Sequence, residues 1–125
     1  MEELMIKDEM GELKTQCTLC GLCKSSCPAY KVLIDESVSP RGRAVLLKSK
    51  VLSKHLYVCT LCKACENFCT VKDIDLVEKI RAAREHMVKN GQETEAGKRL
   101  VANINKTGSC VGKFDEVKGF DLWEC

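Results

Sequence analysis

Apolar and polar positions change period several times along the chain. Leu4, Met5, Met10 and Leu13 recur at loosely helical spacing among acidic residues, which predicts a helix over 1–16, weakened by Gly11. Ala29-Tyr30-Lys31-Val32-Leu33-Ile34 is short and mostly apolar. No second strand pattern pairs with it, so a brief irregular or helical piece is expected. Ser39 offers a capping hydroxyl and Pro40 suits the first position of a helix, with Ala44, Leu46, Leu47, Val51 and Leu52 following at helical spacing. Ser53 and His55 lead into another short helix toward Cys59. From Lys72 onward the helical pattern is strong. Ile74, Val77, Ile80, Ala83 and Met87 form one apolar stripe. Asp75 with Glu78 three residues on is a variant capping box, Glu85 and Lys89 can pair across one turn, and Asn90-Gly91 ends the helix. A last helix is expected from Thr94 to Asn105, with Leu100, Val101 and Ile104 on one face and Thr107-Gly108-Ser109 as its stop. Residues 110–125 have no clear period and read as an extended tail. The pattern is all-α.

Two stretches interrupt it, and they are near copies. Cys17-Thr18-Leu19-Cys20-Gly21-Leu22-Cys23-Lys24-Ser25-Ser26-Cys27 and Cys59-Thr60-Leu61-Cys62-Lys63-Ala64-Cys65-Glu66-Asn67-Phe68-Cys69 lie 42 positions apart. Both have the C-x2-C-x2-C-x3-C spacing of bacterial ferredoxins, whose fourth cysteine ligates the other cluster. Three thiolates at three-residue intervals wrap one face of a cubane, and the fourth follows one helical turn later and points away. The spacing therefore predicts one [4Fe-4S] cluster on Cys17, Cys20, Cys23 and Cys69, and a second on Cys59, Cys62, Cys65 and Cys27. One repeat cannot complete either cluster, so the halves are expected to fold together, with pseudo-twofold symmetry. The long, helical intervening segment distinguishes this chain from small ferredoxins with hairpins between their motifs. The expected organisation is a helical dicluster domain over 1–107 and a tail over 108–125.

Composition narrows the alternatives. Ten cysteines in 125 residues are too many for an ordinary reduced core, leaving disulfides or metal. The acidic N-terminus has no apolar signal region, so an oxidising compartment is not indicated, and no apolar run is long enough to span a bilayer. The expectation is a cytoplasmic protein, or one peripheral to a membrane complex. Zinc also uses C-x2-C pairs, but usually two pairs with a long gap between them. The net charge of +2 contains no run of one sign that suggests nucleic acid. With only 5% aromatic residues, the clusters are expected to supply part of the interior. No catalytic constellation or phosphate loop is visible. His86 reads as a surface or boundary residue and His55 as a candidate for contact with a cluster edge. Arg41 and Arg43 sit where a helix dipole disfavours cations, which suggests compensation of cluster charge or docking of a partner. Cys110 and Cys125 fall outside both runs and carry no assigned role.

The paired runs, the Ser39-Pro40-Arg41-Gly42-Arg43 link and the Asp75-to-Asn90 helix resemble the N-terminal dicluster domain of the glycolate oxidase iron-sulfur subunit, a domain also found in heterodisulfide reductases and in anaerobic glycerol-3-phosphate and lactate dehydrogenases. The resemblance spans residues 10–112. It implies an α-helical ferredoxin fold with the eight run cysteines as ligands. Two departures stand out: Thr70 follows Cys69 where a proline is usual, and Gly108-Ser109-Cys110-Val111-Gly112 replaces a Gly-Asn-Pro-Phe-Gly-like turn. It further implies a non-catalytic electron-transfer subunit of an oxidoreductase complex. Its partners would be a flavoprotein dehydrogenase or reductase subunit and a cysteine-rich catalytic subunit on another polypeptide. The alternative is an interaction or assembly module whose clusters only hold the fold.

Overall fold

The computed structural model describes Leu4 and Met5 as backbone and residues 16–112 in full. In chain order, the elements are β1 (Leu4–Met5), a 3-10 turn (Leu22–Ser26), α1 (Pro28–Leu33), a second 3-10 turn (Glu36–Val38), α2 (Pro40–Lys48), β2 (Val51–Leu52), a third 3-10 turn (Lys54–Val58), α3 (Ala64–Asn67), α4 (Leu76–Lys89) and α5 (Glu95–Thr107). The described residues are thus mostly helical. The helix expected over 1–16 is corrected at Leu4 and Met5, which pair antiparallel with Leu52 and Val51. That pairing depends on a partner nearly fifty residues away, which a local period cannot reveal. Gln16 is not helical either, and the rest of that stretch, with most of the tail expected beyond 110, lies outside the described residues.

Two compact units divide the chain at Gly91 and Gln92. In the first, α2 packs on α4 and β2, and α3 packs on the Leu22–Ser26 turn, bringing the two cysteine runs together. Leu47, Leu52, Leu56, Leu76, Ile80 and Met87 with Ala44 and Ala83 form the buried core. Leu19, Leu61, Cys17, Cys59 and Cys65 pack against it, so the core backs directly onto both runs. In the second unit, α5 starts at its cap Thr94, whose hydroxyl accepts from Gly97 N at 3.1 Å, and ends at Gly108 in the left-handed region.

The Ser39–Arg43 link explains its own composition. Ser39, fully buried, accepts from Gly42 N at 2.9 Å, and Pro40 opens α2 where a missing N–H costs nothing. A Cβ on Gly42 would sit 1.9 Å from the Glu36 carbonyl oxygen, so only glycine lets α2 close against the preceding turn. At α4 the expected capping box does not form. Asp75 holds the cap position but makes no capping bond, and it reaches Lys79 at 3.5 Å instead. Glu66 of α3 takes over, its Oε1 accepting from Val77 N at 2.7 Å. The Glu85–Lys89 pair forms at 2.8 Å, and Gly91 adopts the left-handed conformation expected past a helix end.

Gly42→Ala should therefore be far more harmful than a typical helix substitution. Overpacking of this kind costs about 1–3 kcal/mol or more. Thermal loss of cluster absorbance under anaerobic conditions should occur at clearly lower temperature, whereas Asp75→Ala should change it little.

Candidate metal centre

The two runs share their left-handed positions, although a 3-10 turn follows in the first and an α-helix in the second. Leu19 and Leu61 both have positive φ (60° and 56°), as do Gly21 and Lys63 (81° and 60°). Each pair is related by the 42-residue offset. These left-handed residues curl each loop so that successive cysteines face one side and backbone N–H groups turn toward sulfur. Leu19 N lies 3.4 Å from Cys17 Sγ, and Val71 N lies 3.4 Å from Cys69 Sγ. Ser26 of the first run donates across to the Ala64 carbonyl of the second at 3.5 Å.

Cysteines at equivalent positions of the two runs are shifted in the same direction. Cys20 is shifted down, chiefly by a backbone hydrogen bond from Leu22 and then by the Thr18 hydroxyl. Cys62 is shifted down by the Thr60 hydroxyl first and the Ala64 backbone next, with a further contribution from the positive charge of Arg43. Both favour thiolate, the form that binds metal. The third cysteines behave oppositely. Burial raises Cys23, with added repulsion from Cys17, Cys69 and Cys20. Burial, with repulsion from Cys23, Glu66 and Cys59, pushes Cys65 up to about 12. Thiols gathered this closely cannot all ionise unless cations neutralise them.

Cys17, Cys20, Cys23 and Cys69 line one hollow, which Cys65 also reaches and which Leu22, Arg41 and Glu66 border. No disulfide joins any of the described cysteines. Nor do they converge as a one-ion site would: among the described residues, no three or more His, Cys, Asp or Glu side chains are placed to hold a single metal ion.

Arg43, the last residue of the Ser39–Arg43 link, reaches Cys27. Arg43 is only 2% exposed, its Nη1 is 3.9 Å from Cys27 Sγ, and its Nε and Nη2 have no partner among the described residues. An uncompensated buried charge costs several kcal/mol. A cubane with four thiolates carries net negative charge, and its sulfurs accept hydrogen bonds, so a [4Fe-4S] cluster fits this orphaned guanidinium. Arg84 stands nearby, donating to the carbonyls of Leu56 (3.1 and 2.7 Å), Tyr57 (3.2 Å) and Cys59.

Sequence reasoning left Arg41 and Arg43 equivalent, and the structure separates them. Two residues along a helix is more than half a turn. Arg41 therefore stays at the surface near Glu36, at 3.7 Å, while Arg43 turns inward. Arg84, Glu66 and the hydroxyls of Thr18 and Thr60 were missed. Arg84 did carry a signal, a charged residue four after Ile80 on the apolar stripe of α4. The threonines did as well, since both copies begin Cys-Thr-Leu-Cys. His55 is engaged locally, its Nδ1 2.8 Å from Ser53 Oγ. Cys110 is exposed, and Cys125 lies outside the described residues.

Duplicated loops, thiols shifted down and up in matching positions and a buried cation with no counter-charge among the described residues fit a two-cluster iron-sulfur domain. Residues 14–72 match the family described as 4Fe-4S dicluster domain, so the group held here is a pair of [4Fe-4S] clusters. The chain is similar to the glycolate oxidase iron-sulfur subunit of Escherichia coli K12, with 35% identity over 69 residues, 49% of this chain and 17% of that one. It is also similar to an iron-sulfur subunit of the CoB--CoM heterodisulfide reductase of Methanopyrus kandleri, with 28% identity over 109 residues, 82% of this chain and 54% of that one. A third relative, the uncharacterized electron transport protein YkgF of E. coli K12, is 33% identical over 94 residues, covering 69% of this chain and 20% of the relative. The chain thus spans about half, or much less, of the length of these relatives.

The loop geometry makes a testable distinction between Gly21 and Lys63. A left-handed backbone costs a side-chain-bearing residue about 1–2 kcal/mol, part of which glycine's greater chain entropy offsets. Lys63→Gly should therefore stabilise the holoprotein by about 0.5–1 kcal/mol, because the exposed Lys63–Glu78 contact at 3.8 Å contributes little. Gly21→Ala should destabilise it. Anaerobic heating followed by cluster absorbance reads both.

Proposed function

We propose that Cys17, Cys20, Cys23 and Cys69 ligate one [4Fe-4S] cluster, and that Cys59, Cys62, Cys65 and Cys27 ligate the other. The observation that carries this reading is where the fourth cysteines fall. Cys69 borders the hollow of the first run, and Cys27 is buried against Arg43, whose charge also falls on Cys62. When bound, the clusters supply reversible one-electron chemistry. The chain holds the two runs in contact, buries Cys27 while Cys20 and Cys62 stay exposed, and donates backbone N–H groups to sulfur, and solvent exposure and hydrogen bonds to sulfur tune cluster potential.

In this reading the protein relays electrons between a flavoprotein dehydrogenase or reductase subunit and a cysteine-rich catalytic subunit, in a complex of the heterodisulfide reductase or glycolate oxidase type. Two of the relatives are named as subunits, which supports a role within a larger assembly. No helix among the described residues is long and apolar enough to cross a membrane, which is compatible with a cytoplasmic or peripheral position.

Potentiometric titration with EPR detection should give two clusters that reduce and reoxidise reversibly. Clusters that cannot be reduced reversibly would leave only a structural role. Cys27→Ser should alter the EPR signal of the cluster held by Cys59, Cys62 and Cys65, and Cys69→Ser the other. The reverse pattern would refute the crossed assignment.

A further inference from the structure

The ligand runs are duplicated, but their electrostatic surroundings are not. On the side of Cys27 and Cys59 stand two guanidiniums. Arg43 is almost fully buried, touches Cys27 Sγ through Nη1 and keeps Nε and Nη2 unpartnered. Arg84 is half-buried and spends its donors on the carbonyls of Leu56, Tyr57 and Cys59, all neutral groups. Neither arginine joins an ion pair among the described residues. Arginine stays protonated even when buried, so both charges persist.

The surroundings of Cys17 and Cys20 differ. Their nearby cations are at the surface. Arg41, with its side chain 46% exposed, lies 3.7 Å from Glu36, which also binds Lys24 at 2.7 Å. Lys48, exposed, donates to the Cys17 carbonyl. Water and Glu36 screen these charges, whereas a charge in a low-dielectric interior acts several times more strongly at the same distance. Glu66 adjoins Cys65 and also borders the first hollow, so it opposes Arg43 in part, with its carboxylate held by the Val77 N–H.

We propose that Arg43, backed by Arg84, makes the two clusters inequivalent, holding the first electron on the cluster of Cys59, Cys62, Cys65 and Cys27. This rests on the crossed ligation proposed above. Reduction adds one negative charge to a cluster, and a buried cation beside it stabilises the reduced form over the oxidised form. Net charge and hydrogen bonds to sulfur are recognised determinants of cluster potential. Arg43 supplies both: a fixed charge, and free N–H groups available to sulfur. Arg43 is thus a positioning residue for the electron, and it gives the relay an order that the symmetric cysteine runs lack.

The test uses the full-length holoprotein, titrated potentiometrically under anaerobic conditions with EPR detection. Cys20→Ser and Cys62→Ser mark the two clusters independently of the crossing, since each cysteine lies early in its own run. In the wild-type protein, the signal that Cys62→Ser perturbs should appear first as the potential is lowered. If the Cys20-marked signal appears first, the proposal is wrong. Arg43→Gln removes the charge and should disfavour reduction of the Cys62-marked cluster about tenfold, equivalent to about 59 mV for one electron. The other cluster should shift much less, and Arg43→Lys should restore most of the difference. No shift in either cluster, or an equal shift in both, overturns the proposal while leaving the ligand assignment intact. A shift confined to the Cys20-marked cluster overturns it through the crossed ligation. If Arg43→Gln fails to assemble, the order of reduction in the wild-type protein decides alone.

Discussion

Iron–thiolate bonding is the interaction on which the first unit depends. The apolar core is a handful of aliphatic side chains from α2, β2, α4 and the turn before Cys59, and it backs directly onto the two cysteine runs. Those runs are built from left-handed residues and short helical turns. Without metal they would present thiols that repel one another on ionisation, and Cys65 would stay protonated throughout the physiological range. With metal, the same thiols become neutralised ligands and the loops gain their anchors. Folding and cluster binding are then one process, as in other small metal-centred domains.

Arg43 answers to the same balance of charge. A buried guanidinium with unpartnered nitrogens is destabilising in an apolar setting, and the Ser39–Arg43 link goes to some length to hold it there. Ser39 caps and Pro40 starts α2, while Gly42 lets the helix press against the Glu36 carbonyl. Each of these local choices serves to place one side chain beside Cys27. Their combined effect is to turn a symmetric pair of ligand runs into an asymmetric pair of sites, the condition for directed electron flow.

Much of this was legible in the sequence where the determinants are local. The cap at Ser39, the stripe from Val77 to Met87, the Glu85–Lys89 pair and the stop at Gly91 involve neighbours within one or two turns, and the structure has each of them. The helical fold follows from the apolar periodicity, and the two clusters from the spacing of the cysteines, which metal geometry constrains tightly. What escaped was set by distant contacts. Leu4 and Met5 are extended because Val51 and Leu52 pair with them. Asp75 makes no capping bond, and Glu66, arriving from α3, accepts from the Val77 N–H instead. Lys63 adopts a conformation suited to glycine because it occupies the place of Gly21 in a duplicated loop, and the loop's curvature overrides the residue's own preference.

The central claim is that the clusters form the structural centre of the first unit. Anaerobic removal of iron by chelation, followed by far-UV circular dichroism and thermal melting, tests it most directly. The account predicts a marked loss of helical signal, exposure of apolar surface and no cooperative transition, with α4 retaining part of its helix through its local pairs. A cluster-free protein that kept its full helical signal and melted cooperatively would contradict it.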